Sequence, residues 1–186
     1  MTLGEMKQKV LALIEELNPE SEYLTDDPDI ATKLNHVVNQ LMFELARIKK
    51  IPKYVEMPVR KGQFVDFVNL YEECQRYVYQ LVAVKGVNHE FKADGTIIKA
   101  LEDGTAEIDF YVYPERISAD TSDEYVFELS QDVLEIMPYG VAADLLKSDI
   151  STEYGSIYAT RYESMLQRLD PRNHTTSIYI DGGVNI

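Results

Sequence analysis

Glu107 and Asp109 alternate along the β-type run AEIDFYVY and so would share one face of a strand. Two carboxylates are the minimum for acid–base glycoside hydrolysis. Their neighbours are ordinary strand residues, and an outward polar face accounts for both. Cys74 lies in EECQRY beside Glu72 and Glu73, which raise a thiol pKa rather than activate the sulfur. His36, His89 and His174 offer no pair at metal-ligand spacing. The stretch ADTSDEYVFE has the acid density of a calcium loop, but lacks its central glycine and a glutamate at the twelfth position. There is no G-x-S-x-G elbow and no glycine-rich phosphate loop after a strand. Asn173-His174-Thr175 forms a glycosylation sequon, and because MTLGEMKQKV does not read as a secretion signal the expectation is that it is accidental. The expectation is no enzyme, no cofactor and no metal.

What remains is interaction surface. Tyr154, Tyr158 and Tyr162 recur every four residues and stack along one helix face beside Ile150, Ile157 and Met165. Tyrosine suits a surface that is apolar in its body and wet at its tip. The stripe fits either packing within the chain or an inter-subunit contact. Gly140, Ala142, Ala143 and Gly155 are small enough for two helices to approach closely. Pro138 removes the bond to the Leu134 carbonyl, so a helix should start or kink there. In the closing run TTSIYIDGGVNI, Ile178 and Ile180 would share one face of an extended arm and Tyr179 the other. With Val184 and Ile186 beyond the glycine pair, that arm could add a strand to a partner sheet.

These residues need elements to hold them. Thr2 and Glu5 form a capping-box pattern at the head of a helix spanning residues 3–17. Asp27 caps a second helix, with Pro28 in its first position and an apolar face running to about Lys50. Between residues 51 and 117 the period changes to two. YVEMPV, FVDFV, YVYQLVAV, TIIKAL and AEIDFYVY read as strands, and Pro58 belongs on an edge strand or at a bulge. Asp94-Gly95 and Asp103-Gly104 are hairpin turns by type. Helical spacing returns from Leu129, breaks near Ser148 or Asp149, and ends before Asp170-Pro171. The expected fold is α+β: an antiparallel bundle of about four helices from residues 1–50 and 118–172. Into it is set a small antiparallel β module, residues 51–117, and an extended C-terminal arm follows at residues 173–186.

A chain of 186 residues suits one domain, or one with an insertion, and buries roughly 68–70% of its unfolded surface. One cysteine forms no internal disulfide, and no run is long and apolar enough to span a membrane. The expected site of synthesis is a reducing cytoplasm. A net charge of −14 is repelled by phosphate, which argues against a protein that grips DNA.

The run IDFYVYPERISADTSDEYVFELSQDVLEIMPYGVAADLLKSD, followed by YGSIYATRYESMLQRLDPR, resembles the head-to-tail adaptor (connector) proteins of tailed bacteriophages. In that group a strand ending in aromatics and proline leads through an acidic loop into a helix pair. The matching residues here are Phe110, Tyr111, Tyr113 and Pro114, then the helices near Leu129 and Asp149. The helix-helix-β-helix-helix order is also similar to the tail-tubular adaptors of short-tailed phages. In sequence the resemblance covers about residues 106–172. It implies a structural protein of the virion's head-tail junction, assembled in the host cytoplasm. Such proteins form a closed ring of about twelve subunits beneath the portal protein. The ring passes DNA as cargo and docks the tail or a stopper protein. The arm residues Ile178, Tyr179, Ile180, Val184 and Ile186 would then reach the portal or a neighbour, and Tyr154, Tyr158 and Tyr162 would sit between subunits. The alternative is a carbohydrate-binding module of a phage tail, with Tyr77, Tyr79, Tyr111 and Tyr113 as stacking surfaces.

Overall fold

A computed structural model describes residues 1–148 and 153–169. The fold is α+β, with five α-helices and two small antiparallel sheets among the described residues.

Helix α1 (Leu3–Leu13) opens on a complete capping box. The Glu5 N–H donates to the Thr2 hydroxyl at 3.2 Å, and the Thr2 N–H donates to the Glu5 carboxylate at 2.9 Å. It ends four residues before its apolar spacing does. Glu15 takes φ 62°, so its N–H reaches the Ala12 carbonyl at 3.4 Å and the Glu16 N–H reaches that of Leu11 at 2.9 Å. That crossed pair satisfies the last carbonyls and turns the chain away, leaving Leu17 in the loop. Helix α2 (Pro28–Ile48) begins as expected, with the Asp27 carboxylate accepting from the Asp29 and Ile30 N–H groups.

The four-helix antiparallel bundle is not what forms, and this corrects the sequence expectation. Helix α4 (Gln131–Leu145) is the hub, and α1, α2 and α5 (Tyr154–Leu169) each pack against it. The reason lies in α4 itself. Val133, Leu134, Ile136, Met137, Pro138, Gly140, Val141 and Ala142 are all buried, so it is apolar nearly all round. The other helices bury their stripes on this axle rather than in a shared seam between four equal partners. Pro138 does not start the helix: it occupies the eighth position, and α4 continues through it.

The β region is likewise not one sheet. Strands β1 (Ile51–Val59), β6 (Gly104–Val112) and β3 (Val78–Lys85) pair in that order, with β6 central and antiparallel to both. Strands β2 (Phe64–Val65), β5 (Ile97–Ala100) and β4 (His89–Lys92) form a second sheet around β5. The two orders correspond, since β1 runs on into β2, β3 into β4, and β5 into β6. The region is three long strands creased once. Gly62 (φ 85°) and Gly86 (φ 81°) lie on the crease, and a Cβ on Gly86 would stand 2.4 Å from the Thr105 carbonyl oxygen. Side chains stitch the line: the Lys61 N–H donates to Asp103 at 2.6 Å and the Asn88 N–H to Glu102 at 2.8 Å. Asp103-Gly104 therefore joins two sheets rather than turning a hairpin, whereas Asp94-Gly95 does turn β4 into β5.

Within FVDFV only Phe64 and Val65 are strand. Asp66 accepts from the Val68 and Asn69 N–H groups, and Asn69 Oδ1 accepts from the Asp66 N–H, so a capping box starts helix α3 (Phe67–Cys74) inside a β-branched run. Pro58 sits on the edge strand β1, where a missing N–H is tolerated. One apolar core runs through the helices and both sheets. Asn39, buried on α2, pins the loop that follows β6: its amide donates to the Ile117 carbonyl at 2.7 Å and accepts from the Ile117 N–H at 2.8 Å.

Candidate interaction surface

Helix α5 carries the tyrosine stripe, and its two sides differ. The inward side is Gly155, Tyr158, Tyr162 and Leu169. Tyr158 is half-buried and donates to the Leu13 carbonyl at 2.6 Å, satisfying an acceptor in the last turn of α1. Tyr162 lies over Gly140, where an added Cβ would stand 2.8 Å from its ring and 2.9 Å from Leu41. Burial, reinforced by the nearby Glu44 charge, pushes the Tyr162 hydroxyl up to about 12. Gly155 plays the same spacing role at the end of α4, its missing Cβ 3.2 Å from the Leu146 carbonyl oxygen. The small residues thus set a close α4–α5 approach, and Tyr158 and Tyr162 are spent within the chain.

The outward side is Tyr154, Ile157, Arg161, Ser164 and Arg168, spaced three or four apart along one stripe. Tyr154 is 47% and Ile157 52% exposed. Tyr154 stacks on Tyr158 at 6.3 Å, and the Arg161 guanidinium stands 4.3 Å above the Tyr139 ring. Leu169 is the only fully buried residue of the helix. Between α2, α4 and α5 runs an open groove of about 680 Å³, walled by Gln40, Glu44, Asp144, Lys147 and Glu163.

A second exposed surface is the outer face of the β1-β6-β3 sheet. Glu107 and Asp109 do share it, on an open face rather than in a deep cleft. The register sets Glu56 directly across from Glu107 and Tyr54 across from Asp109. Lys85 Nζ pairs with Asp109 at 3.2 Å. The Tyr54 hydroxyl donates to the Glu56 carboxylate, and that bond holds the phenol neutral, raising it to about 12.

The other sequence candidates fall apart from one another. His36 is exposed on α2, while half-buried His89 meets Phe91 edge-on at 5.1 Å. Cys74 is half-buried, with its thiol 3.6 Å from the Arg76 carbonyl. Among the described residues, no three of His, Cys, Asp and Glu stand where they could hold a metal ion, and no helix is long and apolar enough to cross a membrane. Tyr79 packs 4.6 Å from Tyr113 and 6.3 Å from Tyr111, and donates to the Ala46 carbonyl. Tyr113 rests on Phe43 and accepts from Arg47 at 2.7 Å. These rings seam α2 to the sheet, and Tyr77 alone of that set is largely exposed, at 70%. The arm residues Ile178, Tyr179, Ile180, Val184 and Ile186, together with Ile150 and His174, lie outside the described residues.

Sequence reasoning passed over Arg161, Arg168 and Glu56. The arginines are seven residues apart, which alone puts them on one helix face. Glu56 gains meaning only from the register. Compared with protein-family models the chain matches none, and the search of curated proteins brings no match either.

Proposed function

We propose that the chain is a structural protein of a phage virion, a head-to-tail adaptor that works as a ring beneath the portal. The ring extends the DNA channel and docks the tail or a stopper protein. The observation that carries this reading is α5, a 16-residue helix held by one side only, with Tyr154 and Ile157 about half exposed. An exposed tyrosine and isoleucine one turn apart, with two arginines along the same stripe, suit a protein partner.

The distribution of charge supports the same reading. Residues 15–29 carry seven acids and no lysine or arginine, and so do residues 117–146. The two segments meet at a small cleft lined by Glu22, Tyr23 and Asp123, where Lys7 pairs with Asp123 at 2.8 Å. An overall excess of acid of this kind would let DNA slide past without being held. Residues 173–186 are the proposed arm toward the portal. The carbohydrate alternative has less support, because Tyr79, Tyr111 and Tyr113 spend their rings on one another.

Electron microscopy of the purified chain mixed with the portal of its own phage tests the proposal. Rings stacked on the portal are expected. A chain that stays monomeric and has no affinity for the portal overturns it.

A further inference from the structure

Two surfaces of this chain are open, matched in length and opposite in charge. The outward stripe of α5 offers Ile157 and, four and eleven residues further on, Arg161 and Arg168, with Arg161 also resting over the Tyr139 ring. Among the described residues, neither arginine forms an ion pair with an acid. The outer face of the β1-β6-β3 sheet offers Glu56, Glu107 and Asp109 around Tyr54 and Val82, which are 52% and 47% exposed. Like charges directly across a strand pair repel, so Glu56 opposite Glu107 costs the free chain stability, offset in part by Lys85 in register with Glu107 on β3 and by the Tyr54 hydroxyl on Glu56. Lys85 is engaged with Asp109, and among the described residues neither Glu56 nor Glu107 has an ion-pair partner. Helix α5 is about 24 Å long at 1.5 Å per residue, and β6 about 30 Å at 3.3 Å per residue.

We infer that α5 of one copy docks on the outer sheet face of the next copy, with Arg161 and Arg168 meeting Glu56 and Glu107 and Ile157 meeting Tyr54 and Val82. The inference rests on the ring reading and names the surfaces that would build it. The two surfaces are different patches of one chain, so the contact is head-to-tail. Such contacts repeat, and close into a ring when the rotation between copies allows. A helix laid across three strands covers only a few hundred Å² per partner, short of the roughly 800 Å² of a standard interface. The contact therefore depends on charge and weakens as salt screens it.

Sedimentation velocity of the full chain at low and high salt tests this. The variants are Arg161→Glu with Arg168→Glu, and Glu56→Lys with Glu107→Lys, each checked for its fold by circular dichroism. The wild-type chain is expected to form species larger than a monomer that dissociate as salt rises. Each double variant alone should associate at least about tenfold more weakly, a difference of about 1.4 kcal/mol. An equimolar mixture of the two should co-assemble, because each chain then meets the opposite charge on both of its surfaces. Reversed chains that assemble like the wild type overturn this contact and leave the ring reading standing, as does a mixture that fails to recover. A wild-type chain that is monomeric at every salt concentration overturns this contact, and the ring reading falls with it when that chain also has no affinity for the portal.

Discussion

Helices α4 and α5 are consecutive, pack on each other and have nearly equal lengths, 15 and 16 residues. Eight residues of α4 are fully buried against one of α5. Helix α4 keeps Pro138 and Gly140 in its interior, two residues that cost about 3 and about 1 kcal/mol relative to alanine in an isolated helix. It tolerates them because each fully buried large apolar side chain returns about 1.5–3 kcal/mol. Helix α5 mixes good helix formers such as Ala159, Glu163 and Leu166 with Gly155 and Thr160, and has little burial. The contrast separates two ways of shaping a helix: α4 is shaped by what surrounds it on nearly every side, while α5 is shaped on one side and left available on the other.

Truncation inside the hub should give the largest effect. Met137→Ala removes a side chain with no exposed surface and should cost about 2–5 kcal/mol, read as a drop in the urea midpoint. A cost near zero would mean that α4 is not the axle. Asn39→Ala leaves the Ile117 N–H and carbonyl without their partner, and a loss of about 1–3 kcal/mol is expected by the same measurement.

A smaller effect lies at the seam between the two helices. Tyr162 has a folded pKa of about 12, above its ordinary 10.0, so folding favours the neutral hydroxyl. Its contribution is complete below pH 10 and is lost as pH climbs through about 12. Thermal melts of the wild type should therefore fall faster over that window than those of Tyr162→Phe; parallel curves would show that the ring is not held neutral by its seat on α4. Smallest of all, Ile157→Ser on the outward side should shift stability by no more than about 0.5 kcal/mol. A larger loss in the monomer would mean that this residue belongs to the fold and not to a surface.

Much of the helical framework was legible before the structure, because its information is local. The Thr2 box and the Asp27 cap need only a few neighbouring residues, and both helices start where the sequence puts them. Pro58 on an edge and Asp94-Gly95 at a turn follow from the same short range. What failed depends on distant partners. FVDFV has strand composition, but Asp66 and Asn69 turn it into a helix start. The crease depends on Gly62, Gly86 and the loop before Gly104, which meet only after residues some forty apart in sequence are paired. The bundle expectation treated four apolar helices as equals, when only α4 is apolar on nearly every side. At the candidate surface, the tyrosine period revealed a stripe but not its direction; Gly140 on the facing helix decided that Tyr162 turns inward.

Among the described residues, the central strand β6 is also the last strand to leave the ribosome. Its partner β1 is finished 45 residues earlier, from Val59 to Gly104, which at 5–20 residues per second is a wait of roughly 2–9 s. Throughout that time β1 is a nine-residue strand with no centre to join. Pro52 and Pro58 stand near its two ends, where each withholds a backbone donor from any stray chain that tries to pair. The two prolines thus protect nascent β1 from mispairing until β6 arrives.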